Sequence, residues 1–255
     1  MDDDMSKQRA IFLEVHAGLP RQGPGNRQST LRALALAQGA GVPAAARILD
    51  IGCGPGAQTV DLANALPHAQ IEAVDAHPPF LGEAQRRVDA AGLADRVGLS
   101  LGDMRNLAFA PASFDVLWCE GAVYVMGVAA ALGAWRALLK PGGIIAFTDC
   151  VWLHSDVPAD LRAWWLANYA SMTDIDGCRD QVAQCGYRIV GDFVLPHSAW
   201  WDTYYQPMAV RIESLSRKYA GDEDALAALA TIRFEIDTYR QHGDRYGYVF
   251  IVAVT

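Results

Sequence analysis

A glycine-dense turn at residues 52–56 joins a short apolar run to a segment with the pattern of a helix. Gly52, Gly54 and Gly56 occupy alternate positions in this turn. Glycine adopts backbone conformations that a Cβ forbids, so the turn can be tight and its backbone can approach a ligand closely. In open α/β sheets, ligands bind beyond the carboxyl ends of the strands, at loops of this kind. On its own, the pattern fits a plain turn equally well.

Strand-like and helix-like segments alternate on both sides of this turn. Apolar runs predict seven strands, at 48–51, 71–75, 97–101, 114–119, 143–148, 187–195 and 246–254. Apolar periodicity and capping residues predict helices at 5–17, 29–38, 57–66, 80–91, 129–139, 158–172 and 174–186, with two more between 203 and 241. The order of these elements predicts an α/β fold with a Rossmann-like, doubly wound and mostly parallel sheet.

Charge and cysteine content limit the class of partner and the compartment. The formal net charge is −8, which argues against attraction to nucleic acids or to anionic membranes. Five scattered cysteines without a CxxC pair suit neither a disulfide scaffold nor a thiolate metal site, so we predict no bound metal. The N-terminal sequence lacks a signal-peptide pattern, and we expect a cytoplasmic protein that is not inserted in a membrane. A homodimer is left open.

Acidic residues stand at the ends of successive predicted strands. Asp75 ends the second strand, where a carboxylate can accept hydrogen bonds from ribose hydroxyls. Asp103 and Met104 follow the third strand and could contact an adenine through its amino group and its ring face. Glu120 follows the fourth strand. Because the carboxyl ends of parallel strands share one edge of the sheet, we expect these residues to meet there.

This series of motifs resembles that of class I S-adenosylmethionine-dependent methyltransferases. The matching stretches are ILDIGCGPG, the acid of AVDA, GDM, and LLKPGGIIAFTD, within residues 47–150. RQGPG, EGAVYVMG and WWDTYY further resemble a bacterial group of small-molecule methyltransferases near the ubiquinone/menaquinone C-methyltransferase type. The resemblance implies a seven-stranded sheet with an antiparallel C-terminal strand, S-adenosyl-L-methionine as cofactor, and methyl transfer to a small molecule by in-line displacement.

The resemblance also implies which residues hold the cofactor. The 52–56 loop would hold its methionine portion, Asp75 its ribose, and Asp103 with Met104 its adenine, while Glu120 and Gly121 would line the floor near the sulfonium. Arg21 is a candidate partner for the cofactor's carboxylate, and the loop 23–25 a candidate cover. The complete set of predicted cofactor-binding residues is Arg21, Gly23, Asp50, Gly52, Gly54, Gly56, Gln58, Thr59, Asp75, Ala76, Asp103, Met104, Glu120 and Gly121.

Two other classes of function remain open. Gly52, Gly54 and Ala57 formally satisfy the dinucleotide-binding pattern of an NAD-dependent oxidoreductase. A third glycine at position 56 argues against this, because it tightens the loop where a pyrophosphate needs room. A protein that binds the cofactor or its demethylated product without catalysis, as a sensor or assembly partner, would carry the same motifs.

The base and the acceptor site are predicted from residues that follow the later strands. A base is needed only for an acceptor that arrives protonated, and the candidates are Glu120, His154 and His197. Aromatic residues suit a flat apolar acceptor or a cationic amine, although most of them should form core. We divide the chain into an N-terminal cover, 1–45, and a methyltransferase domain, 46–255, with lid insertions at 152–186 and 197–244. The predicted substrate residues are Tyr124, Trp152, Trp200, Trp201, Tyr204 and Tyr205.

Overall fold

A single mixed sheet forms the centre of the molecule. The computed structural model describes the backbone of residues 2–255 and the side chains of residues 7–255. The strands are β1 (Arg47–Ile51), β2 (Gln70–Asp75), β3 (Val97–Leu101), β4 (Phe114–Cys119), β5 (Leu139–Trp152), β6 (Thr173–Asp174), β7 (Arg188–Val194) and β8 (Tyr246–Val254). Their order is β3-β2-β1-β4-β5-β8-β7, and β6 pairs with the end of β5.

The pairing confirms the predicted fold class. Strands β1 to β5 pair in parallel, and β8 runs antiparallel to both β5 and β7. The order reverses between β1 and β4, which is the switch point where open α/β sheets bind ligands. The sheet has eight strands where seven were predicted, because the two-residue strand β6 joins β5 at Val151 and Trp152.

Ten α-helices connect and flank the strands in the described part of the chain. Their bounds are α1 (Asp2–His16), α2 (Arg27–Gly39), α3 (Ala57–Ala65), α4 (Pro78–Ala90), α5 (Val128–Trp135), α6 (Ala159–Asn168), α7 (Ile175–Gln184), α8 (His197–Trp200), α9 (Gln206–Lys218) and α10 (Glu223–His242). A π-helical turn, Trp201–Tyr205, joins α8 to α9. Of these helices, none combines the length and the apolar character needed to cross a membrane.

Strand β5 differs most from its prediction. It begins at Leu139 and ends at Trp152, although Lys140-Pro141-Gly142 was predicted to be a break before a strand at 143–148. The pairing with β4 shifts from Leu139 to Ile144 at this segment, and Gly142 has φ +73°. The segment is therefore a bulge within a long strand. Its far end extends beyond β4, so the residues around Asp149 reach the ligand-binding edge of the sheet.

The two faces of the sheet are buried under different helices. One face packs with α1 to α3 and with the late helices α8 to α10 in a large aromatic-rich core. The other face packs with α5 and α7. Alternation along β8 shows the division: Tyr246, Tyr248 and Phe250 belong to the first core, and Val249 and Ile251 to the second.

Candidate functional site

A cleft of about 410 Å³ opens at the carboxyl ends of β1, β2, β3 and β4. Its walls are the loops that follow these strands, together with Phe12 of α1 and the segment 21–24. The topology brings residues from distant parts of the chain to this one edge. The predicted site residues that line it are Arg21, Gly23, Gly52, Gly54, Gln58, Asp75, Ala76, Asp103, Met104, Glu120, Gly121 and Tyr124.

The glycine loop forms the floor of the cleft nearest to β1. Gly52, Gly54 and Gly56 all have positive φ, between +54° and +79°. The N–H groups of Gly52 and Cys53 both donate to the carbonyl oxygen of Val74, at 2.8 and 3.0 Å. These bonds fix the loop to β2. A Cβ on Gly52 would lie 2.7 Å from the Cβ of Ala122, so only glycine fits there.

Replacing Gly52 with alanine should therefore destabilise the protein by more than backbone strain alone. A residue with a Cβ in the left-handed region costs of order 1–3 kcal/mol, and at Gly52 the contact with Ala122 adds to that cost. Gly142→Ala is the matched control, because Gly142 has φ +73° and no atom within 4 Å of an added Cβ. Urea unfolding measures both variants. Equal losses would mean that the contact with Ala122 has no energetic consequence.

Asp75 is held rigidly above the glycine loop. Its Oδ2 accepts a hydrogen bond from the N–H of Gly54 at 2.9 Å, and its Oδ1 accepts one from the N–H of His77 at 2.8 Å. The Nδ1 of His77 lies 3.1 Å from the same Oδ1. Asp75 is 8% exposed and lines the cleft. Because a carboxylate oxygen has two lone pairs and Oδ2 accepts one hydrogen bond, Oδ2 keeps an acceptor position for a ligand.

Three of the predicted cofactor residues lie behind the loop instead of in the cleft wall. Asp50 is fully buried, and its carboxyl accepts from Thr59 Oγ1 at 2.6 Å and from Gln58 Nε2 at 3.4 Å. Burial raises the pKa of Asp50 to about 7. Gly56 precedes α3, and an added Cβ would lie 3.0 Å from Ala84 of α4. Asp50, Gly56 and Thr59 therefore position the loop and its helix and do not line the cleft, whereas Gln58 does.

Asp103 and Met104 form the wall that follows β3. The indole N–H of Trp135 donates to the carbonyl oxygen of Met104 at 2.9 Å, which anchors this segment to α5. Asp103 is half exposed and pairs with Arg105 at 3.3 Å. Its carboxylate also accepts from the Arg105 N–H at 2.9 Å. Met104 thus presents an apolar side chain to the cleft, beside a carboxylate at its rim.

A buried ion pair joins the N-terminal segment to the end of β4. Arg21 Nη1 donates to Glu120 Oε2 at 2.7 Å, and Arg21 Nη2 lies 3.1 Å from Thr30 Oγ1 and 3.4 Å from Asp61. Glu120 Oε1 accepts from Thr30 Oγ1 and from the indole N–H of Trp118, each at 2.8 Å. Both carboxylate oxygens of Glu120 accept hydrogen bonds, and its pairing with the Arg21 guanidinium argues against the predicted role as a base. The guanidinium of Arg21 likewise already has two acidic partners.

Sequence comparison assigns the domain that surrounds this cleft. Residues 48–143 match the family model described as Methyltransferase domain. This part of the chain, less than half of its length, is similar to methyltransferase domains. The match contains the glycine loop, Asp75, Asp103, Met104 and Glu120, which are the residues on which the resemblance was based. The narrower placement near the ubiquinone/menaquinone type stays a prediction.

Individual relatives agree with the methyltransferase domain and with its fold. Methyltransferase GfsG of Streptomyces halstedii is 32% identical over 111 residues, which cover 43% of this chain and 40% of the relative. Erythromycin 3''-O-methyltransferase of Saccharopolyspora erythraea is 30% identical, over 50% of this chain and 40% of the relative. The chain thus spans less than half of these relatives. A Geobacter sulfurreducens methyltransferase structure with S-adenosyl-L-homocysteine has the same fold, with a TM-score of 0.82, 22% identity, and coverage of 96% and 97%.

The two predicted histidine bases do not reach the cleft of the methyltransferase domain. His154 is exposed beyond the end of β5, in a separate surface depression with Trp152 and Arg162. His197 is exposed at the start of α8 and stacks on Trp201 and Tyr239. The sequence correctly placed both after strands, but it could not show that the chain then turns away from the cleft.

Most of the predicted substrate aromatics belong to the core of the methyltransferase fold. Trp200 stacks on Tyr239 at 4.7 Å and contacts Tyr248 edge-on at 4.8 Å. Tyr205 is fully buried, and Trp152 is 5% exposed. Trp201 lies between His197 and Arg240 on the outside of α8. Tyr124 alone of the predicted set lines the cleft, and Tyr204 lies close to it, 7% exposed.

The structure adds residues that the sequence did not single out. Phe12 and Gln22 line the cleft, and Gln22 Oε1 is a buried acceptor without a partner in the described chain. Asp149 is buried and accepts from the Tyr169 hydroxyl, and Glu235 is partly buried and accepts from the Tyr205 hydroxyl. Asp149 could have been noticed in the sequence, because it is an acid within the largely apolar strand β5. Glu235 lies in an ordinary helical pattern, so nothing in the sequence indicated its position. Among the described residues, no cluster of three or more metal-ligating side chains occurs.

The buried carboxyl of Asp149 should make stability depend on pH. Burial raises its pKa to about 7, so the folded state holds a proton that the unfolded state releases near pH 3.8. Stability therefore falls as pH rises through this window and stays lowered above pH 7. Asp149→Asn keeps an acceptor for the Tyr169 hydroxyl, which lies 3.0 Å away. Its free energy of unfolding, relative to that of wild type, should be at least about 1.4 kcal/mol higher at pH 8 than at pH 5. Urea unfolding at both values checks this. A gain independent of pH would exclude titration of Asp149.

Proposed function

We propose that this protein binds S-adenosyl-L-methionine in the cleft and transfers its methyl group to a small-molecule acceptor. The observation that carries the proposal is Asp75, a carboxylate held at the end of β2 by the N–H of Gly54 and facing the cleft. A nucleoside ribose offers two adjacent hydroxyl donors to such a carboxylate. The solved neighbour from Geobacter sulfurreducens contains S-adenosyl-L-homocysteine.

The residues in the cleft fit this cofactor. Gly52 and Gly54 line the cleft, and a Cβ at Gly52 would clash with Ala122. Gln22 Oε1 lies in the wall without a hydrogen-bond donor and can accept from an ammonium group. Met104 presents an apolar surface for an adenine ring. Gly52–Gly54 and Gln22 would hold the methionine portion, Asp75 the ribose, and Met104 with Asp103 the adenine.

When bound, the cofactor supplies a methyl group already activated by its attachment to a sulfonium. The chain then has to orient the acceptor, and alignment of two reactants can contribute about 7–11 kcal/mol to the rate. The wall formed by Gly121 and Tyr124 stands where the acceptor must approach. Gly121 is fixed there, since its N–H donates to Thr148 Oγ1 at 2.7 Å.

We propose that the N-terminal region 1–45 covers the cofactor and that the late helices form a lid. Phe12 and the segment 21–24 line the cleft, which supports the cover. Glu14 accepts from the hydroxyl of Tyr219 at 2.7 Å and pairs with Lys218, and Lys7 pairs with Asp222 at 2.6 Å. These contacts tie α1 to the end of α9 and the start of α10, and thus join the proposed cover to the proposed lid.

A small-molecule acceptor is favoured by charge. The chain has a net charge of −8, and the two arginines among the cleft-lining residues, Arg21 and Arg105, each pair with a carboxylate. Nucleic acids require free cationic side chains along their phosphates. We propose action in the cytoplasm on the basis of the five free thiols, four of which are buried.

Binding and turnover experiments test the proposal. Calorimetry with S-adenosyl-L-homocysteine and with NAD should show binding of the former only; binding of NAD alone would replace the proposal with a dehydrogenase. Incubation with methyl-labelled cofactor and a panel of amines, phenols and thiols should release S-adenosyl-L-homocysteine with a methylated product. Binding without transfer to any acceptor, including those in a cell extract, would make the protein a non-catalytic cofactor binder.

A further inference from the structure

We propose that the methyl acceptor is a small amine, bound as an ammonium cation in a recess at the inner end of the cleft. This acceptor recess is formed by Tyr124, Tyr169, Tyr204, Tyr248, Asp149 and Glu235. The inference rests on the proposed function, since it names the substrate class of the same site.

We place the recess beside the cleft, at the segment that follows β4. Tyr124 lines the cleft, and its ring centroid lies 6.1 Å from that of Tyr169. The hydroxyl of Tyr169 donates to Asp149 Oδ1 at 3.0 Å. A Cβ on Gly121, the neighbouring cleft residue, would lie 3.9 Å from Cε2 of Tyr248. Tyrosine rings therefore form the walls where the cleft reaches β5 and β8.

Glu235 of α10 closes the recess from the opposite side. The hydroxyl of Tyr205 donates to Glu235 Oε1 at 2.9 Å, which orients the carboxyl group and leaves Oε2 available. The negative charge of Glu235 contributes to the raised pKa of Tyr124 and of Tyr204. Glu235 is only partly buried, so its carboxyl group is open to contact with a ligand.

The hydroxyl of Tyr248 also points to a ligand in this space. Tyr248 is 8% exposed, and within the described part of the chain its hydroxyl forms no hydrogen bond. The charges of Tyr124, Tyr204 and Asp149 contribute to its raised pKa, which places it among the groups of the recess. An accessible hydroxyl of this kind can donate to, or accept from, a ligand or water.

The carboxyl groups around the recess favour a cation, which would stabilise their ionised forms, and disfavour an anion. Asp149 and Glu235 supply carboxyl groups on two sides. His16 lies 3.5 Å from the Tyr204 hydroxyl, and burial lowers its pKa, which disfavours a positive charge on its ring. The Arg21 guanidinium is paired with Glu120 and Asp61. A phenolate or carboxylate would find no free cation here, whereas an ammonium meets acids and the faces of tyrosine rings.

The same acids can prepare the amine for methylation. An ammonium has no lone pair, so it must first lose a proton, and the free Oε2 of Glu235 can accept it. The nitrogen lone pair then forms the new N–C bond as the methyl–sulfur bond breaks with its electron pair on sulfur. Sulfonium and amine thereby become a neutral thioether and an alkylated ammonium, which balances the charge.

A charge series of matched shape tests the recess by binding. Tetramethylammonium, neopentyl alcohol and pivalate have similar size and carry charges of plus one, zero and minus one. Titrated into protein saturated with S-adenosyl-L-homocysteine and followed by NMR, tetramethylammonium should bind about tenfold more tightly than either of the others, as expected for a cation between aromatic rings and acids. Pivalate or the alcohol binding as tightly as the cation would overturn the inference.

Variants locate the binding site on the recess. Glu235→Gln keeps an acceptor for Tyr205 and should weaken tetramethylammonium binding about tenfold, as should Tyr124→Leu. Asp237→Asn removes a charge from the exposed side of the same helix and should change nothing. Unchanged cation affinity in Glu235→Gln and Tyr124→Leu would overturn the inference, and Asp149→Asn provides a further variant if one of these does not fold.

Failure of this inference is distinguishable from failure of the proposed function. Affinity for S-adenosyl-L-homocysteine, measured in the same samples, reports on the cofactor cleft alone. If the protein binds the cofactor product but shows no preference for the cation, the inference of an amine acceptor is wrong and the proposed function stands. If S-adenosyl-L-homocysteine itself does not bind, the proposed function falls, and the titration of unloaded protein still shows whether the recess prefers a cation.

Discussion

Replacing Asp75 with alanine should weaken binding of S-adenosyl-L-homocysteine by about 1–3 kcal/mol, since the ribose hydroxyls would lose a charged acceptor in a buried site. The carboxylate is 8% exposed and fixed by the N–H groups of Gly54 and His77. Its loss also removes the bond that holds Gly54 in place. Isothermal titration calorimetry of the variant and wild type measures the difference.

A matched control separates the ribose contact from a general effect of charge. Asp95 is exposed in the turn before β3, and Asp95→Ala removes the same charge without touching the cleft. We expect its affinity to equal that of wild type. Asp75→Asn keeps an acceptor oxygen and should show an intermediate loss. If Asp75→Ala bound the ligand as tightly as wild type, the ribose would have to lie elsewhere, and the proposed cofactor orientation would be wrong.

Replacing Arg21 with alanine should lower the free energy of unfolding by about 3–5 kcal/mol, because it leaves Glu120 as an uncompensated buried charge. The pair is 2.7 Å apart, and both side chains are at least nine-tenths buried. Arg21 also lies 3.4 Å from Asp61, so one substitution removes a partner from two acids. Urea unfolding measures the loss.

Two companion variants show whether the buried charge is the cause. Arg27 also lies 3.4 Å from Asp61 but is 70% exposed, and Arg27→Ala should change stability by no more than about 0.5 kcal/mol. Adding Glu120→Gln to Arg21→Ala removes the unpaired charge and should recover part of the loss. A double variant as unstable as Arg21→Ala would show that lost packing, and not charge, is responsible.

Much of the fold was predictable because its signals are local. Apolar runs, the glycine turn and the acids at strand ends each occupy a few neighbouring residues, and the topology of parallel sheets brings strand ends to one edge. This is why Gly52, Gly54, Asp75 and Met104 line one cleft as expected. The length of β5 was missed, because Pro141 and Gly142 normally end a strand and here form a bulge.

The catalytic and acceptor predictions depended on contacts that no local pattern encodes. His154 and His197 follow strands, yet the chain turns outward at both positions. Trp200 and Tyr205 are aromatic residues of the kind that line pockets, but they pack against Tyr239 in the core. Helical spacing alone does not tell which side of a late helix meets the sheet and which meets a ligand.

The amino-acid sequence by itself determined the sheet, the glycine loop and the acids at the ends of successive strands. These features follow from local backbone preferences and from the rule that places the ends of parallel strands at one edge. Only the tertiary structure decided the pairing of Arg21 with Glu120, 99 positions apart, and the meeting of Tyr205 with Glu235 beside Tyr124. The physical reason is that charge and burial at the inner end of the cleft are set by side chains from distant helices, and their neighbours exist only after the chain has folded.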